Sequence, residues 1–367
     1  MKLRPPVIAV TGLNATDNPG PGVAVIRALR ADPAFVGSIV GLAYDALDPG
    51  LYMDGLLDAA FLIPYPSAGR HALFARLAHV RQTVGLDVLI PTLDSELPAL
   101  TGQEDLLEAM GIHTFLPGRE QFDVRSKARL HELATDHGLP VPDSVVLTDV
   151  DALYRLHERF EGPMVVKGVF YGAKVCHSVD EAVRAFHGVA AEWGLPVIVQ
   201  KFVPGEEVNV CAVGDGEGGL VGAVPMKKLM LTKSGKGWAG VTIADDALLQ
   251  LTSDFMRATR WRGPCELEAR KEADGTLHLI EINPRFPAWC DLSAGAGQNL
   301  PAAVVALSRG HDPTPLPDYR VGTAFVRISL DQIVDITALE AITTRGEVLP
   351  GAPRSADGPP HPLPLEL

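Results

Sequence analysis

Short apolar runs alternate with amphipathic segments through the first hundred residues, and this alternation constrains the fold more than any other feature. Four runs have the length of strands, and they cover residues 7–11, 38–44, 58–64 and 87–91. Two segments with helical periodicity lie between them, at residues 22–30 and 71–84. Strands that alternate with helices build a parallel sheet covered on both faces. Ligand sites in such sheets lie beyond the carboxyl ends of the strands, which directs attention to the loops at 12–22 and 92–96.

The loop at 12–22 is rich in glycine and precedes a predicted helix. It has neither the GxGxxG nor the GxxxxGK[ST] spacing of known phosphate-binding loops. Two interpretations stay open. The loop either binds the phosphates of a nucleotide or is a turn-rich connection whose helix N-terminus can hold an anion.

The pattern changes after the first 118 residues. A long helix is predicted at 120–137, because Gly138 and Pro140 follow it as stop signals. A small α+β module comes next, with short predicted strands and helices at residues 144–147, 149–160, 164–167, 173–177 and 180–193.

The following region is richer in strands. Predicted strands and helices cover residues 197–202, 206–213, 220–231, 245–260 and 300–310. A hairpin is predicted between the strands at 265–269 and 276–282, because Ala273-Asp274-Gly275 is a strong turn signal.

The hairpin carries the residues with the clearest chemistry. Glu281 and Asn283 lie two apart near the end of its second strand, so both side chains share one face. The first strand carries Glu266 and Glu268 with the same spacing. Carboxylate and amide oxygens suit Mg²⁺, and Arg285 just beyond them is suited to a phosphoryl group. A solvated surface hairpin is the alternative interpretation.

Glu268 followed by Glu281-Ile-Asn283-Pro-Arg285 resembles the metal-binding hairpin of ATP-grasp enzymes, and is similar to biotin carboxylase and to the synthetase halves of carbamoyl phosphate synthase. The resemblance covers about residues 7–312. It implies that Glu268, Glu281 and Asn283 bind the metal. It also implies that Glu281, Asn283 and Arg285 serve catalysis.

Two lysine segments follow the order expected of that family. Ser126-Lys127-Ala128 and Met164-Val-Val-Lys167-Gly168 resemble the lysines that bind the α- and β-phosphates of ATP. A lysine is a compact charge suited to phosphate. The stretch after Lys167 has fewer glycines than many members, and Lys174 is the candidate for a phosphate contact there.

The segment from Val197 to Glu207 resembles the hinge that holds the adenine. The resemblance implies that Gln200 contacts the exocyclic amine and that the chain at Lys201, Phe202 and Val203 reads the adenine edge. Glu207 matches an acidic position near the ribose. An ordinary strand and turn is the alternative.

A basic stretch and an aromatic segment are candidates for the acceptor substrate. The basic stretch at 227–238 lies in an otherwise acidic chain, and a basic loop suits an anionic substrate. Trp289 follows Arg285 closely and can form an aromatic wall. The candidate substrate residues are Lys227, Lys233, Lys236, Trp238 and Trp289. A solvated hairpin and core packing are the alternatives.

Composition excludes several classes of protein. The net charge of −13 argues against a nucleic-acid partner, which needs a basic surface. No apolar run reaches the roughly 18 residues of a membrane span, and the four cysteines form no CxxC pair. No signal-peptide pattern opens the sequence, so we expect a cytoplasmic protein.

The resemblance implies an α/β plus α+β fold, in which a Rossmann-like N-terminal domain precedes a two-lobed ATP-grasp fold. The predicted parts are the Rossmann-like domain, a linker helix, a lid, a body with the metal hairpin, a strand and helix extension and a disordered tail, at residues 1–118, 119–140, 141–200, 201–318, 319–350 and 351–367.

The implied activity is ATP-dependent ligation of a small-molecule carboxylate to an amine, through an acyl phosphate, with release of ADP and phosphate. The expected cofactors are ATP and Mg²⁺ or Mn²⁺, and a homodimer is the expected assembly. A carboxyphosphate- or carbamoyl-phosphate-forming enzyme is one alternative. A nucleotide-binding regulatory protein without turnover is another.

Overall fold

The computed structural model describes residues 4–15, 19–160, 162–169, 172–232 and 235–349, apart from the side chains of residues 134 and 157. The predicted tail at 351–367 lies outside these ranges. The chain divides into two compact units. The first comprises Met1–Leu116, Leu229–Gly240 and Arg285–Leu367, and the second comprises Pro117–Lys228 and Val241–Pro284.

The N-terminal segment of the first unit alternates strands and helices as predicted. Its elements are β1 (Val7–Val10), α1 (Pro21–Arg30), β2 (Ser38–Ala43), β3 (Ala59–Leu62), α2 (Arg70–Val84), β4 (Val88–Ile90), α3 (Leu97–Leu100) and α4 (Glu104–Ala109).

Residues 117–284 contain two sets of strands. The elements are α5 (Arg119–Val124), α6 (Leu130–His137), β5 (Ser144–Leu147), α7 (Ala152–Phe160), β6 (Met164–Gly168), β7 (Ala173–Cys176), α8 (Val179–Trp193), β8 (Val197–Lys201), β9 (Glu206–Asp215), β10 (Leu220–Leu231), β11 (Gly237–Thr242), α9 (Asp246–Thr259), β12 (Arg262–Lys271) and β13 (Leu277–Asn283).

The C-terminal segment returns to the first unit. Its elements are α10 (Asp291–Gly295), α11 (Leu300–Ser308), β14 (Ala324–Val326), α12 (Ile336–Arg345) and β15 (Glu347–Val348).

The first unit is built around a five-stranded sheet with the order β15-β3-β2-β1-β4. Strands β1 to β4 are parallel, and β15 adds an antiparallel edge. Ile8, Val40 and Leu89 are buried in these strands. Because both faces of the sheet are covered, the strands are continuous apolar runs in the sequence. The predicted Rossmann-like fold class is confirmed.

The second unit holds two sheets. Strands β5, β8, β6 and β7 form one antiparallel sheet in that order, packed on α7 and α8 through a buried apolar cluster. Strands β13, β12, β9 and β10 lie side by side in the other, and α9 packs against it. The predicted hairpin is confirmed as β12 and β13, with Gly275 at φ 92° in its turn.

The predicted continuous helix at 120–137 is wrong. The helix ends at Val124 and a new one begins at Leu130. Between them, Arg125, Ser126 and Arg129 donate backbone hydrogen bonds to residues three positions earlier, which tightens the chain into turns. The turn carries Lys127 to a carboxylate of β13, a tertiary contact that helix propensity does not report.

The basic stretch at 227–238 is largely strand. Lys227 lies in β10 and Trp238 in β11, and the connection between the two strands covers only residues 232–236. Lys233 lies outside the described residues. Within the described part of the chain, no helix is long and apolar enough to cross a membrane.

Candidate active site

The β13-β12-β9-β10 sheet has one apolar face and one polar face, as strand periodicity requires. Residues that pair across antiparallel strands share a face. Glu268 pairs with Glu281 and with Asn209, and Glu266 pairs with Asn283. We call the side of the sheet that carries these residues the polar face. Its members include Glu207, Asn209, Lys228, Glu266, Glu268, Glu281 and Asn283.

The opposite face of the same sheet is core. Val208, Val210 and Leu267 are at most 1% exposed and pack in one cluster with Phe255 and Met256 of α9. The burial of this face fixes the strand register, because a shift by one residue would send these apolar side chains to the other side. The core therefore holds the acidic residues on the polar face.

Two carboxylates face each other in the hairpin. Glu268 and Glu281 are directly opposite across β12 and β13, a position in which like charges destabilise a sheet. Burial, together with the charge of Glu268, raises the pKa of Glu281. The Nζ of Lys127 lies 3.2 Å from Oε1 of Glu281 and partly offsets the repulsion.

Asparagine amides orient the carboxylates of the first strand. Nδ2 of Asn283 donates to Oε2 of Glu266 at 3.1 Å and to Oε1 of Glu268 at 3.0 Å. Nδ2 of Asn209 donates to the other oxygen of Glu266 at 3.0 Å. Asn209 is fully buried and was not among the predicted site residues, because an isolated asparagine in an apolar strand carries no motif.

The residues around Glu268 and Glu281 fit a divalent cation. The two negatively charged carboxylates repel each other, and a cation bound between them would remove this repulsion. Oδ1 of Asn283 is the amide oxygen left by the hydrogen bonds of its Nδ2. Among the described residues, no three His, Cys, Asp or Glu side chains form a metal cluster. This donor set suits Mg²⁺, which takes one or two carboxylates and completes its shell with phosphate oxygens and water.

Lys167 lies on β6, in the sheet formed by β5, β8, β6 and β7. Its Nζ donates to Oε1 of Gln200 at 2.7 Å, and Gln200 is 4% exposed. Burial and the charge of Lys127 lower the pKa of Lys167 to about 8. The charges of Glu281, Glu268 and Glu207 act on it in the opposite direction, so Lys167 is within electrostatic range of the polar face.

Lys228 was missed among the predicted site residues. Its Nζ donates to Oε1 of Glu207 and lies 3.6 Å from Oε2 of Glu268. Burial lowers the pKa of Lys228, but the neighbouring Glu268 and Glu207 outweigh burial and raise it above its usual range. The sequence does not indicate which of the adjacent residues Lys227 and Lys228 lies on the polar face. Lys227 pairs with Val208 on the core side and contacts Glu206 at 2.7 Å.

The remaining predicted nucleotide residues take different positions. Lys174 and Lys201 are exposed, on β7 and at the end of β8. The guanidinium of Arg270 lies 5.7 Å from the ring centroid of Phe202, and its Nε donates to the carbonyl of Val203 at 3.2 Å. The hinge carbonyl is therefore held by an arginine that the sequence motif did not include.

Arg285 belongs to the first unit. Its Nε donates to Oδ2 of Asp94 at 3.1 Å, in the loop after β4. The buried carboxylate of Glu96 fixes that loop by accepting from the backbone amides of Thr92 and Leu93 at 2.7 and 2.8 Å. The loop at 92–96 was singled out in the sequence, and the structure brings it to Arg285.

The predicted substrate residues of the first unit differ in their exposure to solvent. Trp289 is 6% exposed, whereas Lys236 is exposed. The carbonyl of Trp238 accepts from the backbone amide of Arg327 at 3.0 Å. Nη2 of Arg327 donates to the carbonyl of Ala288 at 2.9 Å, next to Trp289. Arg327 was not predicted, because a single arginine just after a short strand gives no signal.

Similarity to known proteins is consistent across sequence and structure. Residues 195–328 match a family model described as ATP-grasp in the biosynthetic pathway with Ter operon. A phosphoribosylamine–glycine ligase of Synechocystis is 29% identical over 127 residues, covering 33% of this chain and 30% of the relative. A D-alanine–D-alanine ligase of Chromohalobacter salexigens is 34% identical over 92 residues, covering 24% and 29%.

A solved structure shares the fold over most of the chain. It is the biotin carboxylase domain of the 2-oxoglutarate carboxylase of Hydrogenobacter thermophilus, in complex with MgADP, ADP and bicarbonate. The TM-score is 0.65 at 17% identity, and the match covers 83% of this chain and 70% of that one. The two curated ligases are matched over less than a third of their own length.

Proposed function

We infer, from the premise that this chain belongs to the ATP-grasp superfamily, that it ligates a small-molecule carboxylate to an amine and consumes ATP. The reaction would pass through an acyl phosphate and release ADP and phosphate. The observation that carries the proposal is the polar face of the second unit. It brings the facing Glu268 and Glu281 together with Lys127, while Lys167 lies within electrostatic range.

The nucleotide would lie along this face. Lys127 and Lys167 would bind its phosphates, and Gln200, with the chain at 201–203, would hold the adenine. Glu207 would accept hydrogen bonds from the ribose. Lys174 lies exposed on β7, a position compatible with closure over a bound nucleotide.

Glu268, Glu281 and Asn283 would hold Mg²⁺ with the nucleotide's phosphates. A bound magnesium ion offsets the charge that develops on the transferred phosphoryl group. Glu266 would orient the set, because it accepts from both Asn209 and Asn283.

The chemistry begins when a carboxylate oxygen of the substrate attacks the γ-phosphorus and ADP leaves. Arg285 would neutralise charge on the acyl phosphate, and its contact with Asp94 holds the guanidinium in place until then. The amine nitrogen then attacks the acyl carbon, phosphate departs with the attacking oxygen, and the nitrogen loses a proton.

The candidate contacts for the acceptor remain Lys227, Lys233, Lys236, Trp238 and Trp289. We further propose a cytoplasmic homodimer that accepts Mg²⁺ or Mn²⁺. The predicted lid at 141–200 and body at 201–318 would be the two lobes that hold ATP.

A screen for substrate-dependent ADP release tests the function. The purified protein is incubated with Mg·ATP and pairs of amino acids or small carboxylates, and ADP is measured by a coupled assay. We expect one pair to raise ADP release well above either substrate alone. ADP release driven by bicarbonate alone would instead favour carboxyphosphate formation. Nucleotide binding without any turnover would favour a regulatory protein.

A further inference from the structure

Lys228 connects two neighbouring strands of the sheet in the second unit. Its ammonium contacts carboxylates on two different strands, Glu207 of β9 and Glu268 of β12. The side chain is 12% exposed, and its partners are 30% and 17% exposed. The group is therefore shielded from the solvent that makes most surface ion pairs weak.

The geometry requires the long side chain of lysine. Strands β10 and β12 lie on either side of β9, so they are two strand spacings apart, about 9.6 Å. From β10, Lys228 reaches past β9 to the carboxylate of Glu268. The strand register places Lys228 beside Glu207, because the preceding residue, Lys227, pairs with Val208.

The two carboxylates have separate tasks in the proposed function, on which this inference rests. Glu207 would bind the ribose, and Glu268 would bind the metal beside the phosphates. The ribose and the phosphates are different parts of one nucleotide, and a single ammonium contacts both carboxylates.

We propose that Lys228 is a positioning residue that holds the ribose-binding and metal-binding carboxylates in their places through one shared ion pair. Without the ammonium, Glu207 and Glu268 would lose their common counter-charge. Both the recognition of the sugar and the use of the metal would then suffer together.

The chain offers a matched control. Lys271 of β12 forms an ion pair of 2.5 Å with the buried Asp245, which caps α9. Like Lys228, it is a lysine on this sheet with a shielded carboxylate partner, but it lies on the core face. Lys271→Met therefore removes a comparable ion pair without touching the polar face.

Four binding measurements by calorimetry test the proposal. The probes are ADP and 2′,3′-dideoxy-ADP, each with MgCl₂ and with EDTA. The ribose ratio is the dissociation constant of dideoxy-ADP divided by that of ADP. The metal ratio is the dissociation constant of ADP in EDTA divided by that in MgCl₂.

We expect Lys228→Met to lower both ratios at least about threefold, and Lys228→Arg to restore both, because arginine keeps the charge. Glu207→Gln should lower only the ribose ratio, and Glu268→Gln should lower only the metal ratio. Lys271→Met should change neither. Should Lys228→Met fail to fold, Lys228→Gln carries the same expectation.

Three results would overturn the proposal: unchanged ratios, a fall in only one ratio, or no recovery with arginine. If Lys228→Met loses affinity equally in all four conditions, both ratios stay unchanged. That result would indicate that Lys228 contacts the nucleotide directly or that the variant is generally destabilised. If the wild-type protein binds ADP in none of the conditions, the proposed function itself fails. Normal wild-type binding with unchanged ratios in Lys228→Met would reject only the role of Lys228.

Discussion

The lowered pKa of Lys167 predicts that nucleotide binding takes up a proton. In the free protein this pKa is about 8, because burial and Lys127 disfavour the charged ammonium. A bound polyphosphate favours the charged form and moves the pKa back up. Below about pH 7 Lys167 is already protonated, so nucleotide binding does not change its protonation state. As the pH rises through 8, a growing fraction of neutral lysine must gain a proton when the nucleotide binds.

The size of the effect follows from that pKa. The neutral fraction of Lys167 is about 0.03 at pH 6.5, about 0.5 at pH 8 and about 0.9 at pH 9. At pH 8 and above, the terminal phosphate of ADP, with a pKa of about 6, is already ionised, so the expected proton uptake per bound Mg·ADP equals the neutral fraction of Lys167.

Calorimetry in buffers with different ionisation enthalpies measures this uptake directly. The slope of the observed enthalpy against the buffer enthalpy gives the number of protons. Lys167→Met is the control and should show no uptake near pH 8 or 9. An absence of uptake at pH 9 in the wild-type protein, or equal uptake in the Met variant, would refute the reasoning.

Three further outcomes are expected. Glu281→Gln should fold normally but form ADP at least about 100-fold more slowly, because it removes one charge from the metal site; near-normal turnover would rule out the metal assignment. Hydrogen exchange should slow in β6 and β7 when Mg·ATP is added, as the predicted lid closes; equal exchange with and without nucleotide would count against closure. Phe255→Ala should lower the free energy of unfolding by about 3–5 kcal/mol in a denaturant titration, whereas Tyr154→Ala, at an exposed position, should change it little.

Much of the fold could be predicted because its signals are local. The strands and helices of residues 7–91 have apolar residues at periodic positions, and this periodicity can be detected from the local sequence without knowledge of tertiary contacts. The turn at Ala273-Asp274-Gly275 closes the hairpin through local hydrogen bonds, with Gly275 at positive φ. The spacing of Glu281 and Asn283 also depends only on strand geometry, and both lie on the polar face.

The rest depends on contacts between distant parts of the chain. The break before Leu130 places Lys127 against Glu281, a partner 154 residues later in a different element. Asn209 and Lys228 become site residues only because β9 lies between β10 and β12, an order that residue patterns do not encode.

The products of a completed reaction test the central claim most directly. With an active carboxylate and amine pair, phosphorus NMR should show ADP and inorganic phosphate in equal amounts. When the carboxylate carries labelled oxygen, mass analysis should find one labelled atom in the released phosphate, because the attacking oxygen departs with phosphorus. AMP and pyrophosphate as the main products would contradict the account, since the polar face is proposed to act on the terminal phosphoryl group.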